Sequence, residues 1–139
     1  MKIKNKKGFT LVELLVVLSI LALLISLVGP TVYKHIAPAK KSIAKAQIEN
    51  FASALDAFYI DVGRYPLSTE GLEALVNKPS GVVKWNGPYL KKNIPKDPWG
   101  NEYIYRCPGR ENPYEIISLG ADGKEGGEGE NQDITNNEN

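Results

Sequence analysis

Histidine and cysteine are almost missing from this 139-residue chain, which carries one of each, His35 and Cys107. A single cysteine excludes an internal disulfide. Neither residue supports catalysis: His35 is expected on an exposed helix surface, and Cys107 at the half-buried end of a strand. No glycine-rich phosphate-binding motif or metalloprotease helix occurs. An enzyme is therefore the weakest interpretation of the sequence.

A strong net charge is also missing, because 17 basic and 16 acidic side chains leave +1. The chain has no overall basic field, so nucleic acid is not expected as a partner. The charges are unevenly distributed, with four lysines in the first seven residues and six acids after residue 121. Once an N-terminal segment is set aside, the remaining length suffices for one small domain but not for two.

The dominant feature that is present is an apolar run over residues 11–28, LVELLVVLSILALLISLV, in which Glu13 is the only charge. Its length is about the minimum for a helix that crosses a bilayer. A basic head before an apolar run is typical of a signal peptide, but no small-residue cleavage site follows, and Gly29-Pro30 comes instead. The segment is therefore predicted to stay in the mature protein. The leader lysines favour a cytoplasmic N-terminus.

Glu13 has two interpretations. For an arbitrary protein the preferred one is an acid near the end of the span, whose side chain reaches the membrane interface. The other requires a cation at the same depth, because an unpaired carboxylate at the bilayer centre costs ~2.5–3.5 kcal/mol. Cleavage between Gly8 and Phe9 would create such a cation, a free amine on Phe9. A neighbouring copy of the helix, shifted along its axis, could bring its amine to this acid.

Helical spacing continues beyond the apolar run. Apolar residues recur at intervals of four and three, which marks one face of a helix: Ala44, Ile48, Phe51, Leu55, Phe58 and Val62. Pro30 and Pro38 are expected to bend or loosen the helix, and Gly63 to end it.

The rest of the chain reads as short elements. We predict a brief helix over residues 69–76 capped by Ser68 or Thr69, a turn at 97–100, a hairpin of strands 102–106 and 114–118 with alternating burial, a third strand near 133–135, and disorder over 136–139.

Residues 119–133 form an acidic, glycine-rich loop. Its oxygen ligands and flexible backbone suit Ca²⁺, but the EF-hand pattern fails. Residues 126–131 look like a single copy of a calcium-binding nonapeptide, which normally works in tandem arrays. On composition alone, a solvated acidic loop is preferred over a metal site.

The motif G-F-T-L-x-E at residues 8–13, after a short basic leader, resembles the type IV pilin superfamily. The resemblance implies cleavage after Gly8 by prepilin peptidase, N-methylation of Phe9, and use of Glu13 in filament assembly.

Three further motifs resemble the major pseudopilins of type II secretion systems: S-L-G-A-D-G at 118–123, D-P-W-G at 97–100, and R-Y-P at 64–66 followed by T-E-G-L-x-A-L. The resemblance runs from residue 2 to about residue 134. It implies that bound Ca²⁺ replaces the disulfide that closes the C-terminal region of ordinary type IV pilins.

The ligands that the resemblance implies are the carbonyl oxygens of Leu119 and Lys124 and the carboxylates of Asp122 and Asp133. Many relatives have a further Asp where this chain has Gln132, which can supply an amide oxygen. Glu128, Glu130 and Asn131 are candidates to compensate for that change.

We therefore predict an α+β, pilin-like fold: a long N-terminal helix, with a transmembrane half and a soluble half, packed on a small antiparallel sheet, with a C-terminal calcium-binding loop. The expected segments are a leader over 1–8, a transmembrane and filament-core helix over 9–30, and a periplasmic globular domain over 31–139.

The predicted function is that of a structural subunit of the type II secretion pseudopilus, which helps drive folded proteins across the outer membrane. The resemblance implies a homopolymer, with minor pseudopilins, an inner-membrane assembly platform and prepilin peptidase as partners. Before assembly, the chain is expected to cross the bacterial inner membrane once, with its C-terminus in the periplasm. The alternatives are a pilin for adhesion or DNA uptake and a membrane-anchored calcium-binding module.

Overall fold

The computed structural model describes residues 8–137. The expected leader, with Lys2, Lys4, Lys6 and Lys7, lies outside the described residues except for Gly8. The same holds for the last two residues of the chain. By its internal contacts the chain divides after Ala37 into two units, which are described separately below.

The longest element is helix α1, Leu11–Val62. The helical assignment continues through Pro30 and Pro38, so neither proline ends the helix. Gly63 ends it, as expected: its N–H donates to the Tyr59 carbonyl at 2.8 Å, and its φ of 89° is a conformation that glycine adopts without a Cβ penalty.

The first unit consists, within the described residues, of the start of the chain and the N-terminal part of α1. Its apolar side chains are exposed all around the helix, and Leu27, for example, is 67% exposed. The helix contains a stretch that is long and apolar enough to cross a membrane. No residue of that stretch is buried against the rest of the protein. Length and composition therefore agree with the predicted span.

The second unit contains the hydrophobic core, to which α1 contributes one face. The buried residues of that face include five of the six predicted ones, and the sixth, Val62, packs against the core while partly buried. Phe51, which is 1% exposed, meets the ring of Tyr103 edge-on at 5.1 Å. The predicted packing of helix on sheet is confirmed, because Tyr103, Tyr105, Tyr114 and Ile116 belong to the same core.

The brief helix expected over residues 69–76 is shorter, a 3₁₀ turn at Leu72–Leu75 without a side-chain cap. The Ser68 hydroxyl is engaged elsewhere: it accepts from the Cys107 N–H at 2.8 Å and donates to the Cys107 carbonyl at 3.0 Å. The capping prediction was wrong because the turn begins at Leu72 with Gly71 as its N-cap, so neither Ser68 nor Thr69 stands at the cap position. Cys107 is half-buried just after a strand, as expected.

The sheet has three antiparallel strands in the order β1-β2-β3: β1 Ile104–Arg106, β2 Glu115–Ser118 and β3 Ile134–Thr135. Tyr105 pairs with Ile116, and Ser118 pairs with Ile134. The predicted alternation fails in β2, where all four residues are buried. Ile116 faces the core, while Glu115 and Ile117 border a cleft that residues of the acidic loop also line.

The C-terminal residues are more ordered than expected. Asn136 accepts from the Ile116 N–H through Oδ1 at 2.8 Å and donates from Nδ2 to the Tyr114 carbonyl at 3.2 Å. Its own N–H donates to the Ile116 carbonyl at 3.3 Å. The side chain and backbone of Asn136 thus extend the pairing of β3 with β2, and the expectation of disorder was wrong at this residue.

Candidate functional site

Thr10 and Glu13 cap the start of α1 reciprocally. The Glu13 N–H donates to the Thr10 hydroxyl oxygen at 3.2 Å, and the Thr10 N–H donates to a Glu13 carboxylate oxygen at 3.4 Å. This is a capping box, in which two N–H groups without a helical partner are satisfied. The sequence analysis missed it, although the T-x-x-E spacing before an apolar run signals it. Glu13 therefore has a structural role in the single chain, independent of any neighbour.

The residues before the helix are open to solvent. Gly8 is exposed, and a Cβ added to it would meet nothing within 4 Å. Phe9 is 89% exposed. Neither local packing nor backbone conformation therefore requires glycine at position 8.

The acidic loop closes on itself. The Ala121 N–H donates to the Glu130 carbonyl at 2.8 Å, which joins the start of the loop to a 3₁₀ turn at Gly129–Asn131. Gly120 lies in this junction with φ at 75°, and a Cβ there would approach the Glu130 carbonyl oxygen to 2.7 Å. Only glycine fits both conditions. The structure thus brings residues 120–121 against residues 130–132.

The two predicted carboxylate ligands make local hydrogen bonds. Asp122 accepts from the Lys124 N–H at 3.1 Å, and Asp133 accepts from the Gly126 N–H through Oδ2 at 3.0 Å. The other oxygen of Asp133, Oδ1, is buried and has no hydrogen-bond partner. Gln132 and Lys124 are exposed, and Leu119 is half-buried. Asp133 therefore has one buried carboxylate oxygen whose hydrogen-bonding capacity the described residues leave unused.

Arg106 on β1 forms ion pairs beside the loop. Its Nη2 lies 2.8 Å from Glu125 and its Nη1 lies 3.9 Å from the buried Glu115. The hydrogen bond from Arg106 holds the pKa of the Glu125 carboxyl below its ordinary value. These groups and Asp133 line an open cleft of about 290 Å³. Sequence reasoning missed this cluster, because no local pattern connects residue 106 to residue 125.

The donor set of the loop suits a hard cation only if backbone oxygens take part. Between residues 8 and 137, no group of three His, Cys, Asp or Glu side chains converges in a way that could hold a metal ion. The expected set needs only two carboxylates, because carbonyl and amide oxygens supply the rest. Ca²⁺ accepts such mixed oxygen ligands in flexible geometry. The unpartnered Oδ1 of Asp133 agrees with this chemistry.

Two sequence motifs meet in the structure at a buried carboxylate. Asp97 of D-P-W-G is 4% exposed, and its Oδ2 accepts from the Ser118 hydroxyl at 2.8 Å. Its Oδ1 accepts from the N–H groups of Trp99 and Asn101. The turn and the start of S-L-G-A-D-G are therefore one hydrogen-bonded unit. The sequence indicated the turn but not its partner.

Three features define a pilin-like structural subunit. The N-terminal helix is long and its first part is apolar and exposed, a small antiparallel sheet packs on its second part, and an exposed Gly-Phe-Thr segment precedes the helix. Residues 3–29 match the family model described as the prokaryotic N-terminal methylation motif. Residues 31–137 match the model described as type II secretion system, protein G.

Relatives match over almost the whole chain. The type II secretion system core protein G of Pseudomonas aeruginosa is 45% identical, over 98% of both chains. That of Escherichia coli is 38% identical, over 95% of this chain and 91% of the relative. The crystal structure of the major pseudopilin from the type 2 secretion system of enterohaemorrhagic E. coli superposes with a TM-score of 0.65 at 30% identity, covering 75% of this chain and 91% of that one.

The chain belongs to the type II secretion system protein G family. It is a structural subunit of the secretion pseudopilus and not an enzyme. Its N-terminal helix and its family indicate membrane anchoring and a periplasmic pseudopilus.

Proposed function

We propose that this chain polymerises through the first part of α1, and that the resulting filament helps drive folded proteins across the outer membrane. The observation that carries the proposal is the exposure of the apolar side chains along that part of the helix. Exposed apolar surface of this extent marks a membrane or protein contact. Before assembly, the segment crosses the inner membrane once with its C-terminus in the periplasm. After assembly, copies of the helix cover one another.

Processing precedes assembly in this proposal. Prepilin peptidase cuts between Gly8 and Phe9, and Phe9 is then methylated on its new amine. The exposure of both residues supports the proposal, because a peptidase needs an accessible extended segment. The free space around Gly8 also supports it, since the preference for glycine then comes from the peptidase and not from the fold. An inner-membrane platform and minor pseudopilins are the proposed further partners.

Glu13 is proposed to pair with the Phe9 amine of a neighbouring copy. In the single chain its carboxylate already accepts from the Thr10 N–H, so the charge is held at the helix start. The positive end of the helix dipole favours a negative charge there. A neighbour's ammonium would neutralise this charge inside the apolar filament core, where an unpaired carboxylate is costly. The pairing would select one axial register between subunits.

The test compares Glu13→Leu with Glu13→Gln in secreting cells. Both variants should insert into the membrane, because both remove a charge from the span. Glutamine also completes a capping box, so it keeps the cap and loses the ion pair. We expect both variants to lose filament assembly and secretion. Normal assembly of the glutamine variant would reduce Glu13 to a capping residue, and normal assembly of both would remove it from the mechanism.

Ca²⁺ is proposed as the ion of the acidic loop, held by the carbonyls of Leu119 and Lys124, the side chains of Asp122 and Asp133, and the amide oxygen of Gln132. The unpartnered Asp133 Oδ1 supports this assignment. The ion would supply charge neutralisation to a loop whose carboxylates repel one another. The glycines of the loop favour its unfolded state entropically, so a ligand that binds only the folded loop stabilises it.

Thermal unfolding of the full mature chain in detergent micelles tests this assignment. Calcium at ~100-fold above its Kd should add about 2.7 kcal/mol of stability relative to chelator. Magnesium should substitute poorly, because it demands a tight octahedral site. Asp122→Ala and Asp133→Ala should remove the calcium effect, and Glu111→Ala, an exposed acid outside the loop, should keep it. Identical melting curves of the wild type in chelator, calcium and magnesium would contradict the calcium assignment and would mean that the loop is only a solvated acidic loop.

A further inference from the structure

Asn101 joins the D-P-W-G turn to the acidic loop. Its backbone is fixed at both ends by Asp97: its N–H donates to Asp97 Oδ1 at 2.8 Å, and its carbonyl accepts from the Asp97 N–H at 2.8 Å. Asp97 is itself anchored to the Ser118 hydroxyl on β2, and Ser118 is fully buried. The position of Asn101 is therefore set by the sheet and not by the loop.

The side chain of Asn101 reaches the loop on both sides of Asp122. Its Nδ2 donates to the Gly120 carbonyl at 3.1 Å. Its amide also lies near Gly123, where an added Cβ would sit 3.6 Å from both amide heteroatoms. Gly120 and Gly123 both have positive φ, at 75° and 65°, which are conformations that an unsupported chain exchanges freely with others. The hydrogen bond from Asn101 to the Gly120 carbonyl favours the observed conformation at Gly120 over the alternatives.

We propose that Asn101 is a positioning residue for the calcium loop. This inference rests on the proposed calcium site. Because Asn101 donates a hydrogen bond to the Gly120 carbonyl oxygen, that oxygen is not among the proposed calcium ligands. Asn101 also fixes the backbone between Leu119 and Lys124, whose carbonyls are the proposed ligands. A loop that is ordered before the ion arrives loses less entropy on binding. Residues that orient ligands in this way typically change metal affinity by about 10–100-fold.

The test is a calcium titration of the full mature chain in micelles against a competing chelator dye, together with thermal unfolding in chelator alone. Asn101→Ala should weaken the calcium Kd by about 10-fold or more. The substitution should lower the melting temperature, relative to wild type, by less in chelator than in calcium. Asn77→Ala is the matched control, because Asn77 also donates from its amide, to Glu73 at 3.2 Å, but outside the loop. This control should leave the Kd unchanged.

The outcomes separate the two proposals. If the wild-type chain binds no calcium, the calcium assignment and this inference both fail. If the wild type binds and Asn101→Ala has the same Kd, only this inference fails, even where the variant melts earlier. Should the alanine variant not fold, Asn101→Ser replaces it, because serine suits the turn but its side chain is too short to reach Gly120. The same loss of affinity is expected, and an unchanged Kd in a folded serine variant overturns the inference.

Discussion

One helix passes through two regions of this protein that treat apolar residues in opposite ways. In the first region, up to residue 37, the apolar side chains surround the helix and remain exposed. In the second, from residue 38, the helix buries one apolar stripe, in which Phe51, Leu55 and Phe58 are almost fully buried. The number of apolar residues alone does not distinguish the two regions. They are distinguished by how those residues are arranged around the helix. A helix that is apolar on all sides must be buried by lipid or by other chains, whereas a helix with one apolar stripe buries that stripe against the domain of its own chain.

The largest effect should come from breaking the stripe. Phe58→Ala removes a fully buried ring that packs edge-on against Tyr89 at 5.8 Å, so unfolding should become easier by about 3–5 kcal/mol. Leu21→Ala in the first region should leave this free energy unchanged, because Leu21 is exposed. Denaturant unfolding followed by fluorescence measures the second region alone, since Trp85 and Trp99 both lie there. Equal losses in the two variants would contradict the division into regions.

A smaller loss is expected from a glycine in the acidic loop. Gly120→Ala requires an alanine at φ 75° and forces its Cβ against the Glu130 carbonyl oxygen at 2.7 Å. The strained backbone and the overpacking should together cost about 2–4 kcal/mol. Gly126→Ala shares the positive φ of 83° but meets nothing within 4 Å, so only the backbone strain should remain. Thermal unfolding of both variants measures the difference, and similar melting temperatures would exclude the close contact.

The third prediction concerns pH in the second region. Arg64 donates two hydrogen bonds to Glu70, at 2.7 and 3.2 Å, and holds the Glu70 pKa below its ordinary value of 4.5. A depressed folded-state pKa adds stability that is present above the unfolded pKa and is lost as the pH falls through the folded one. Glu70→Gln should therefore cost up to about 1 kcal/mol at pH 7.

That cost should shrink as the pH drops below about 4.5, because the carboxyl of the unfolded wild-type chain takes up its proton there first, and it should vanish once the pH is below the lowered folded-state pKa. Unfolding free energies at several pH values measure it. Glu49→Gln is the control for loss of one exposed charge from the same region. A Glu70→Gln penalty that stays constant down to pH 3 would mean that the ion pair contributes nothing.

The smallest effect belongs to the helix start in the first region. Thr10→Ala removes the hydroxyl that accepts from the Glu13 N–H, which should cost about 1 kcal/mol of local helix stability. Amide hydrogen exchange at Glu13 in micelles should accelerate accordingly. Ser19→Ala also removes a hydroxyl from this helix, but that hydroxyl only donates to the Leu15 carbonyl and caps no N–H. Unchanged exchange at Glu13 in Thr10→Ala would contradict the reciprocal cap.

The sequence was most informative where one element decides the outcome. The helical stripe, its end at Gly63 and the hairpin of the first two strands follow from local periodicity and turn chemistry. Prediction failed where a distant residue decides. Ser68 pairs with Cys107 and does not cap a helix, the second face of β2 is buried beside a cleft that the acidic loop also lines, and Asn136 is ordered by β2. No pattern within a few residues contains that information.

The candidate sites divide in the same way. The motif around Gly8, Phe9 and Glu13 is contiguous, so the sequence alone identifies it. The T-x-x-E spacing also predicts the capping box, although that prediction was not made. The acidic loop was recognised as a unit, but its supports are Arg106 on β1 and Asn101 after the turn. Each lies 19 residues before the loop residue to which it donates, and only the fold brings them together.

The sheet, with edge strands of three and two residues, has a further consequence. A long unpaired strand edge recruits strands from other molecules and seeds amyloid-like stacking, and short edges are a common protection against it. Beside β3, Asn136 occupies the β2 groups that would otherwise remain open. A pseudopilus subunit with such short edges thus offers little template for cross-β growth, so strand exchange should compete only weakly with the proposed association through the helix.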